Sequence, residues 1–415
     1  MSNDPFSVLK IKEFRLFVSA KLFITIALQI EAVIIGWQIF KITNDTLSLG
    51  LIGLSEAVPS ILVALYAGHF ADIINRKRII QVTVFILLLC SLSLAFLAMD
   101  SNAALLTRTT LPLYLVIFIS GIARGFFNPA NFAFMPQLVE REDYPRAISW
   151  SSTAWQTGAV AGPAISGLIY ALCDFRNTYI VVAILVSVSL FLYTLIPSKP
   201  VPPHNPDLTM KAKITEGLKF VFKNQVILGA ITLDLFAVLF GGAVALLPAF
   251  AKDILFVGAE GLGFLRAAPA VGAIIMAIYL AYRPMQRNAG KKLLWSVAAF
   301  GLCMIAFALS KNIYLSIAIL VLSGIFDSVS VIIRSTLIHT LTPENMKGRV
   351  SAVNSIFIGS SNEIGAFESG VAARIMGTVP SVIFGGCMTL LVVSITAGTA
   401  KQLRRLHLTT KDKNS

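Results

Sequence analysis

This chain has little of what soluble enzymes and metalloproteins are built from. Four His and four Cys in 415 residues leave few ligands for a metal site. Cys90, Cys173, Cys303 and Cys387 form no CxxC pair; each lies in or at the edge of an apolar run and reads as a small core residue. No GxxxxGK[ST] phosphate loop occurs, so ATP bound by this chain is not its energy source. No catalytic triad stands out either. Neither metal nor cofactor is expected, and an enzyme is the least favoured class. Charged residues make up only 13% of the chain against 56% hydrophobic, too few to clothe a soluble protein of this size.

What is present is length without charge. Twelve apolar runs lie at about 16–40, 49–71, 79–98, 111–138, 147–173, 178–196, 226–250, 261–282, 293–310, 312–340, 350–376 and 379–400. Each has the length one helix needs to cross ~30 Å of hydrocarbon. In lipid every backbone amide must be satisfied within its own segment, so helices are the open-chain solution. The expected fold class is an all-α membrane protein with twelve transmembrane helices. The stretch from Leu22 to Phe40 is too long for a signal-peptide core and lacks a small-residue cleavage site, so it reads as the first helix.

A net charge of +13 would suggest nucleic acid in a soluble protein, but its distribution argues for topology instead. Of 34 Lys and Arg, 24 fall in the N-terminal tail, the even-to-odd loops and the C-terminal tail. The opposite loops hold only Lys41, Arg108, Arg176, Lys252, Lys311 and Arg374. The positive-inside rule then places both termini in the cytoplasm. The remaining excess suits anionic lipid, and no nucleic-acid partner is expected.

The longest polar interruption, 197–225, divides the chain into an N-terminal half (1–196) and a C-terminal half (226–400), followed by a basic tail (401–415). This linker opens with Pro197, Pro200, Pro202 and Pro203 and continues as an amphipathic helix. Ile214, Leu218, Val221 and Phe222 share its apolar face, and Lys211, Lys213, Lys219 and Lys223 its polar one, which suits the inner membrane surface. An ungapped shift of 203 residues lays Ser120-Gly121-Ile122 on Ser323-Gly324-Ile325. It also carries Leu138 to Leu341, Arg146 to Arg349, Gly162 to Gly365 and Gly167 to Gly370. Two pseudo-symmetric six-helix halves related by an axis along the membrane normal are the plan of a rocking transporter.

Between the second and third runs stands Gly68-His69-Phe70-Ala71-Asp72-Ile73-Ile74-Asn75-Arg76-Lys77-Arg78. This resembles the cytoplasmic loop signature of the major facilitator superfamily, Gly-x-x-x-Asp-(Arg/Lys)-x-Gly-(Arg/Lys)-(Arg/Lys). Gly68, Asp72, Arg76 and Lys77 match, while Ile73 and Asn75 replace the basic residue and the glycine. Asn tolerates a left-handed backbone, so the turn can survive that replacement. The resemblance implies that Asp72 pairs with nearby cations and a helix N-terminus when the cytoplasmic gate closes; Arg146 and its repeat equivalent Arg349 join that gate set. A purely topogenic loop would explain the three cations but not the acid.

A second resemblance is longer. Pro129-Ala130, Pro136, Leu138 to Glu142, Arg146-Ala147, Gly162-Pro163 and Gly167 are similar to helices 4 and 5 of the bacterial enterobactin-exporter and macrolide-efflux branch. Gly158 to Pro163 also resembles the helix 5 signature of drug and proton antiporters, with Ser166 in place of one glycine. Small residues four apart let helices approach closely, and Pro163 frees one backbone bond at a bend.

Ionisable groups at membrane depth are costly and default to functional candidates. Arg124, Asn128 and Asn131 (i, i+4, i+7) lie on one face of helix 4; Asp327, Ser330 and Arg334 (i, i+3, i+7) likewise share a face of helix 10, and Asp327 is the repeat equivalent of Arg124. The superfamily resemblance implies that helices 1, 4, 7 and 10 line the cavity, where Arg124 could face Asp327. Helix 1 adds Glu31 and Gln38, helix 7 Asp234, and helix 11 Asn354, Asn362, Glu363 and Glu368. Lys21, Arg266, Arg334 and Arg374 lie near span ends, where snorkelling to the interface is the simpler account. Burial favours the neutral form of a carboxyl group, the property a reversible proton carrier needs, with Glu31 the first candidate and Asp327 the second; a satisfied, hydrogen-bonded structural acid is the rival reading.

These residues suggest a monomeric, proton-coupled exporter of a small amphipathic, siderophore- or drug-like molecule in a bacterial inner membrane. A lysophospholipid flippase or uniporter without proton coupling is the first alternative, and a non-transporting membrane sensor the second.

Overall fold

The structure is a computed structural model, and it describes residues 7–200, 210–241, 243–282, 288–343 and 346–404. Among these residues there is no strand, and twelve helices are long enough to cross a bilayer. They are α1 (Lys12–Thr43), α2 (Thr46–Ile73), α3 (Arg76–Leu97), α4 (Leu111–Phe134), α5 (Tyr144–Leu172) and α6 (Phe175–Leu195). After the linker come α7 (Gln225–Phe240), α8 (Gly258–Tyr282), α9 (Ala289–Leu309), α10 (Ile313–Leu341), α11 (Lys347–Met376) and α12 (Thr378–Thr399). Beyond Phe240 the chain continues as Ala243–Ala249 and a π-helical turn, Phe250–Ile254, so the seventh span reaches Ile254.

Ten of these spans are apolar enough to cross a membrane on composition alone. The other two are α5 and α11, which are 29 and 30 residues long and occupy equivalent places in the repeat. Ser149, Ser151, Ser152, Thr153, Gln156 and Thr157 dilute the first; Ser351, Asn354, Ser361, Asn362, Glu363 and Glu368 dilute the second. Helices this polar need protein or a water-lined cavity around them rather than lipid. Large apolar side chains elsewhere, such as Phe85, Phe191, Trp295 and Ile395, stand exposed, as a lipid-facing surface requires.

Helix ends follow local chemistry. Asn224 and Asn312 cap α7 and α10 by accepting from the backbone N–H groups two and three residues on. Asn75 caps α3, its Oδ1 accepting from the Arg78 amide at 3.4 Å. Its φ is −57°, not left-handed as the signature turn had suggested, because the cap requires an extended-side backbone. Its Nδ2 also donates to Ser198 Oγ (2.6 Å) and the Lys199 carbonyl (3.0 Å).

The chain forms two compact units. The first comprises residues 1–44, 51–206 and 258–267; the second comprises 45–50, 207–257 and 268–415. In unit 1, α1 lies against α5 and α6, and α3 against α4 and α6, around a core that includes Phe14, Phe17, Ile24, Phe134 and Tyr193. The α5 glycines lie close to α1: a Cβ at Gly158 would lie 2.6 Å from Thr25 Cγ2, and one at Gly162 2.5 Å from Gln29 Cβ. The start of α8 joins this unit because Gly263 meets the Pro163 carbonyl, a Cβ there falling 2.6 Å from that oxygen. In unit 2, α9 packs on α10 and α12, and α11 on α7 and α12. The start of α2 joins it through Gly50, where a Cβ built on Gly370 would come within 2.8 Å of the Gly50 Cα.

The linker helix, Met210–Lys223, belongs to unit 2. Val221 is buried, and Leu218 and Phe220 are packed against the core of Ile227, Ile231, Ile338, Val350 and Val353. Phe222, expected on the same apolar face, is exposed instead: the packed arc runs from Phe220 through Val221 to Leu218, and Phe222 falls just beyond it. The side chains of Lys211, Lys213 and Ile214 lie outside the described residues. All four cysteines are free; Cys90 and Cys303 are buried as expected, but Cys173 and Cys387 are exposed, the former at the end of α5 and the latter on an outer face of α12.

Candidate functional site

The centre of unit 1 is a charged cluster in an otherwise apolar bundle. Glu31 stands on α1 between Ile30 and the run Val33–Ile35, and only 5% of its surface is exposed. Its Oε2 accepts the Ser91 hydroxyl from α3 at 2.8 Å, and its Oε1 lies 3.7 Å from Nη2 of Arg124 on α4. Arg124 Nη1 in turn donates to Glu56 on α2. Glycine makes that second pairing possible: a Cβ at Gly121 would lie 2.6 Å from the Glu56 carbonyl, so α2 and α4 run nearly in backbone contact one turn before Arg124. Arg266, in the first turns of α8, is within electrostatic reach of Glu56. One arginine is therefore shared by two acids, the more buried of them the more loosely held.

Neutral polar pairs frame this cluster. Tyr179 OH donates to Gln38 Oε1 at 2.7 Å, and Tyr193 OH to Asn131 Oδ1 at 3.1 Å. Lys21 does not reach for the interface; its Nζ donates to Ser151 Oγ at 2.6 Å, tying α1 to α5. Buried polar groups satisfied in this way fix helix rotation, since each lost partner would leave an unpaired group in a low dielectric.

Unit 2 carries a second ionic centre. Asp234 on α7 and Arg334 on α10 form an ion pair and are 6% and 3% exposed. Snorkelling, the expectation for Arg334, gives way to burial because a counter-charge is at hand two turns inside the helix end. Asp327 and Ser330 lie on the same side of α10 and line a small cavity with Asp234. Arg374 behaves nearer to expectation: it is exposed, and its Nη1 donates to Asp45 Oδ2 at 2.9 Å.

Several expected residues stand apart from these centres. Asn128 is exposed although Arg124 and Asn131 turn inward. Asn362 is exposed too, its Nδ2 donating to the Ile358 carbonyl of its own helix at 3.0 Å, while Glu363 is half-buried. Arg124 finds Glu56 and Glu31 inside its own unit, where the sequence had offered Asp327 of the other unit as its counter-charge. Glu56 and Ser91 were missed from the sequence. Glu56 carried a signal, being an acid inside the run 49–71, whereas Ser91 looks like any small residue in a membrane helix.

At the loop end of unit 1, Arg76 Nη1 donates to the Ala133 carbonyl at the end of α4, and Lys77 Nζ to the Thr194 carbonyl at the end of α6, both at 3.0 Å. Cations on the last carbonyls of a helix complement its dipole. Arg146 pairs with Asp143 at 2.7 Å. Gly68, expected in the same gate, lies within α2, and the side chains of Asp72 and Arg349 lie outside the described residues. Among the described residues no group of His, Cys, Asp and Glu could hold a metal ion.

The Major Facilitator Superfamily profile matches residues 17–366. The enterobactin exporter EntS of Shigella boydii serotype 18 is 26% identical over 400 residues, covering 95% of this chain and 94% of that protein. The same protein from Escherichia coli O1:K1 matches to the same extent, at 26% over 400 residues. Among solved structures, a POT family transporter in complex with 5-aminolevulinic acid superposes with a TM-score of 0.73 at 12% identity, over 94% of this chain and 96% of that one. The human organic anion transporter MFSD10 (TETRAN) gives a TM-score of 0.66 at 13% identity, over 93% and 99% of the two chains. A multi-pass helical membrane protein with buried ion pairs on its first, fourth, seventh and tenth spans, matched by this profile over most of its length, belongs to the major facilitator superfamily of transporters.

Proposed function

We propose that this transporter is a proton-coupled exporter of a small amphipathic molecule, working by alternating access with Glu31 as its first proton carrier. The observation that carries the reading is the shared arginine: Arg124 is held by Glu56 and lies 3.7 Å from the buried carboxylate of Glu31. Protonation of Glu31 shifts Arg124 towards Glu56; loss of that proton draws Arg124 back. A proton arriving at one acid thus moves a cation between two helices, which is how a chemical event can bias a conformational equilibrium. Asp234 and Arg334 form the corresponding charge pair in unit 2. Kinship with enterobactin exporters supports efflux across a bacterial inner membrane and a siderophore- or drug-like cargo, and the basic-loop count supports cytoplasmic termini.

The test is Glu31→Gln in proteoliposomes. Gln keeps the size of the side chain and can still meet Ser91, so folding and substrate binding should persist. Export driven by a pH gradient should be lost. If the variant still concentrates substrate against its gradient under a pH difference, Glu31 is not the carrier. If the wild-type chain ignores the pH gradient altogether, the coupling itself is wrong and the flippase or uniporter reading takes its place.

A further inference from the structure

The linker helix, Met210–Lys223, turns one side of itself away from the protein. Lys219 and Lys223, one turn apart and hence on one face, are both exposed there. Phe222 stands beside them with 60% of its surface open and takes no part in the core that holds its neighbours Leu218, Phe220 and Val221. Where this helix gives way to α7, Phe220, Lys223, Asn224 and Gln225 line an open cleft of about 420 Å³. Asn224 Oδ1 already accepts from the amides of Val226 and Ile227, so the start of α7 is capped from within. What the cleft offers a ligand is the Lys223 ammonium and the side-chain amide of Gln225.

The cations continue along the same end of unit 2. One turn into α7, a Cβ at Gly229 would lie 3.5 Å from Leu403 Cδ2, in the C-terminal turn Lys401–Arg404. Leu403 is 1% exposed and packs in one core with Ala289 and Leu293 of α9. Its carbonyl lies against Gly290, which sets the backbone of Arg404 next to Lys291 and Lys292. Those three side chains are exposed as well. Among the described residues no carboxylate pairs with any of these five cations. Glu216 is the single acid of the linker helix, so the rim stays strongly positive.

We propose that this rim is a binding site for an anionic phospholipid, whose phosphodiester sits in the cleft against Lys223 and Gln225. Lys219 holds the headgroup from the exposed face of the linker helix, and Phe222 enters the acyl region beside it, the division of labour of an interfacial helix. Lys291, Lys292 and Arg404 meet the headgroups of neighbouring lipids. Charge selects the class: a zwitterionic headgroup brings its own ammonium, which unpaired cations repel, and a soluble phosphate has nothing to give Phe222. By the basic-loop count the rim faces the cytoplasmic leaflet, where anionic lipid attracts basic segments. The site lies apart from Glu31, which belongs to the other unit, and asks nothing about cargo.

Lipid titration of the purified full chain in detergent tests this without substrate and at one fixed pH. A ligand that binds only the folded state raises Tm with its concentration. Phosphatidylglycerol, phosphatidylcholine with the same acyl chains, and inorganic phosphate are compared at matched concentrations. The expected result is a larger rise with phosphatidylglycerol than with either of the others. Lys219→Gln with Lys223→Gln should need several-fold more phosphatidylglycerol for the same rise, and so should Phe222→Ser. Arg108→Gln with Lys311→Gln removes two exposed cations from the opposite loops and should respond as the wild type does. All four of these charged side chains are exposed, so neither double variant endangers folding. The proposal is overturned if phosphatidylcholine or phosphate acts as strongly as phosphatidylglycerol, or if the Lys219→Gln, Lys223→Gln protein responds as the wild type does. It is overturned too if both double variants weaken the response equally, since the attraction would then be net charge and not a site. Because pH is held constant, a failed proton-coupling mechanism leaves each of these results untouched.

Discussion

Glu31 and Asp234 occupy the same place in the two repeats, 203 residues apart, and each is bound to an arginine on the fourth helix of its own half. The shift that aligns Arg146 with Arg349 also aligns these two acids. The partners are not equivalent, however. Arg124 aligns with Asp327, and Arg334 lies two turns further along α10. Unit 1 therefore has two acids on one arginine, whereas Arg334 in unit 2 is bound by Asp234 with Asp327 left to the side.

This asymmetry predicts unequal losses of stability. Asp234→Asn strands a nearly buried guanidinium, and removing one partner of such a pair costs about 3–5 kcal/mol. Glu31→Gln should cost clearly less, because Arg124 keeps Glu56. Pairing Asp234→Asn with Arg334→Gln should recover part of the first loss. Thermal stability of the four proteins in one detergent checks the order; equal losses in the two single variants would remove the argument from sharing.

The helix 5 glycines make a second, steric prediction. Gly162→Ala places a Cβ against Gln29 Cβ and the Ile26 carbonyl, at 2.5 and 3.0 Å. Overpacking of this sort costs about 1–3 kcal/mol. Gly359→Ala, where nothing lies within 4 Å, is the control and should be neutral or slightly stabilising, since alanine is the better helix former. Melting temperatures that fell equally in both variants would show that helix propensity, not the α1–α5 contact, governs these positions.

Much of this fold could be read from apolar run length alone, because a membrane leaves the backbone one solution and the run boundaries fall within a few residues of the helices. That α5 would approach some neighbour closely was legible, since glycines four apart have a direct steric meaning, but that the neighbour is α1 was not. What could not be read was which charge meets which. Arg124 had several acids to choose from, and the choice of Glu56 depends on the close approach of α2 to α4 at Gly121, a three-dimensional fact. Arg334 looked like an end-of-helix cation for the same reason: its partner Asp234 lies on another helix. Asn75 was misjudged because one residue can serve either as a left-handed turn or as a cap, and only the backbone decides.

The cytoplasmic gate is tested by Asp72→Asn. The substitution keeps size and removes the charge that, by resemblance to the superfamily signature, closes that side. Folding should be intact and net transport nearly lost, because a shift of a few kcal/mol in the balance of two conformations empties one of them. Wild-type rates in proteoliposomes would count against the gate role.

Orientation is tested by cysteines at Asn44 and Asn312, at one end of the helices, and at Asn75 and Asn205 on the opposite side by the run count. The first pair should react with an impermeant thiol reagent applied to intact cells, and the second pair only after the membrane is opened. The native exposed cysteines, Cys173 and Cys387, must be replaced first. Labelling of Asn75→Cys from outside would invert the topology.

Glu56→Gln addresses the shared arginine most directly. In the wild type Arg124 divides its charge between two carboxylates, so release of Glu31 costs little of its electrostatic satisfaction. Without the Glu56 charge, Arg124 leans more on Glu31 and holds it more closely; the two then separate at a greater free-energy cost, since neutral hydrogen bonds are about half as strong as charged ones. If the exchange of Arg124 between these acids is the coupling step, a larger pH difference should be needed to reach a given export rate, while substrate affinity at fixed pH stays near wild type. Glu56→Asp, which keeps the charge on a shorter stem, should restore part of the response. Equal pH responses in the wild type and Glu56→Gln would mean that Glu56 serves only to anchor α2 to α4, and coupling would then have to run through Glu31 without an exchange of partners.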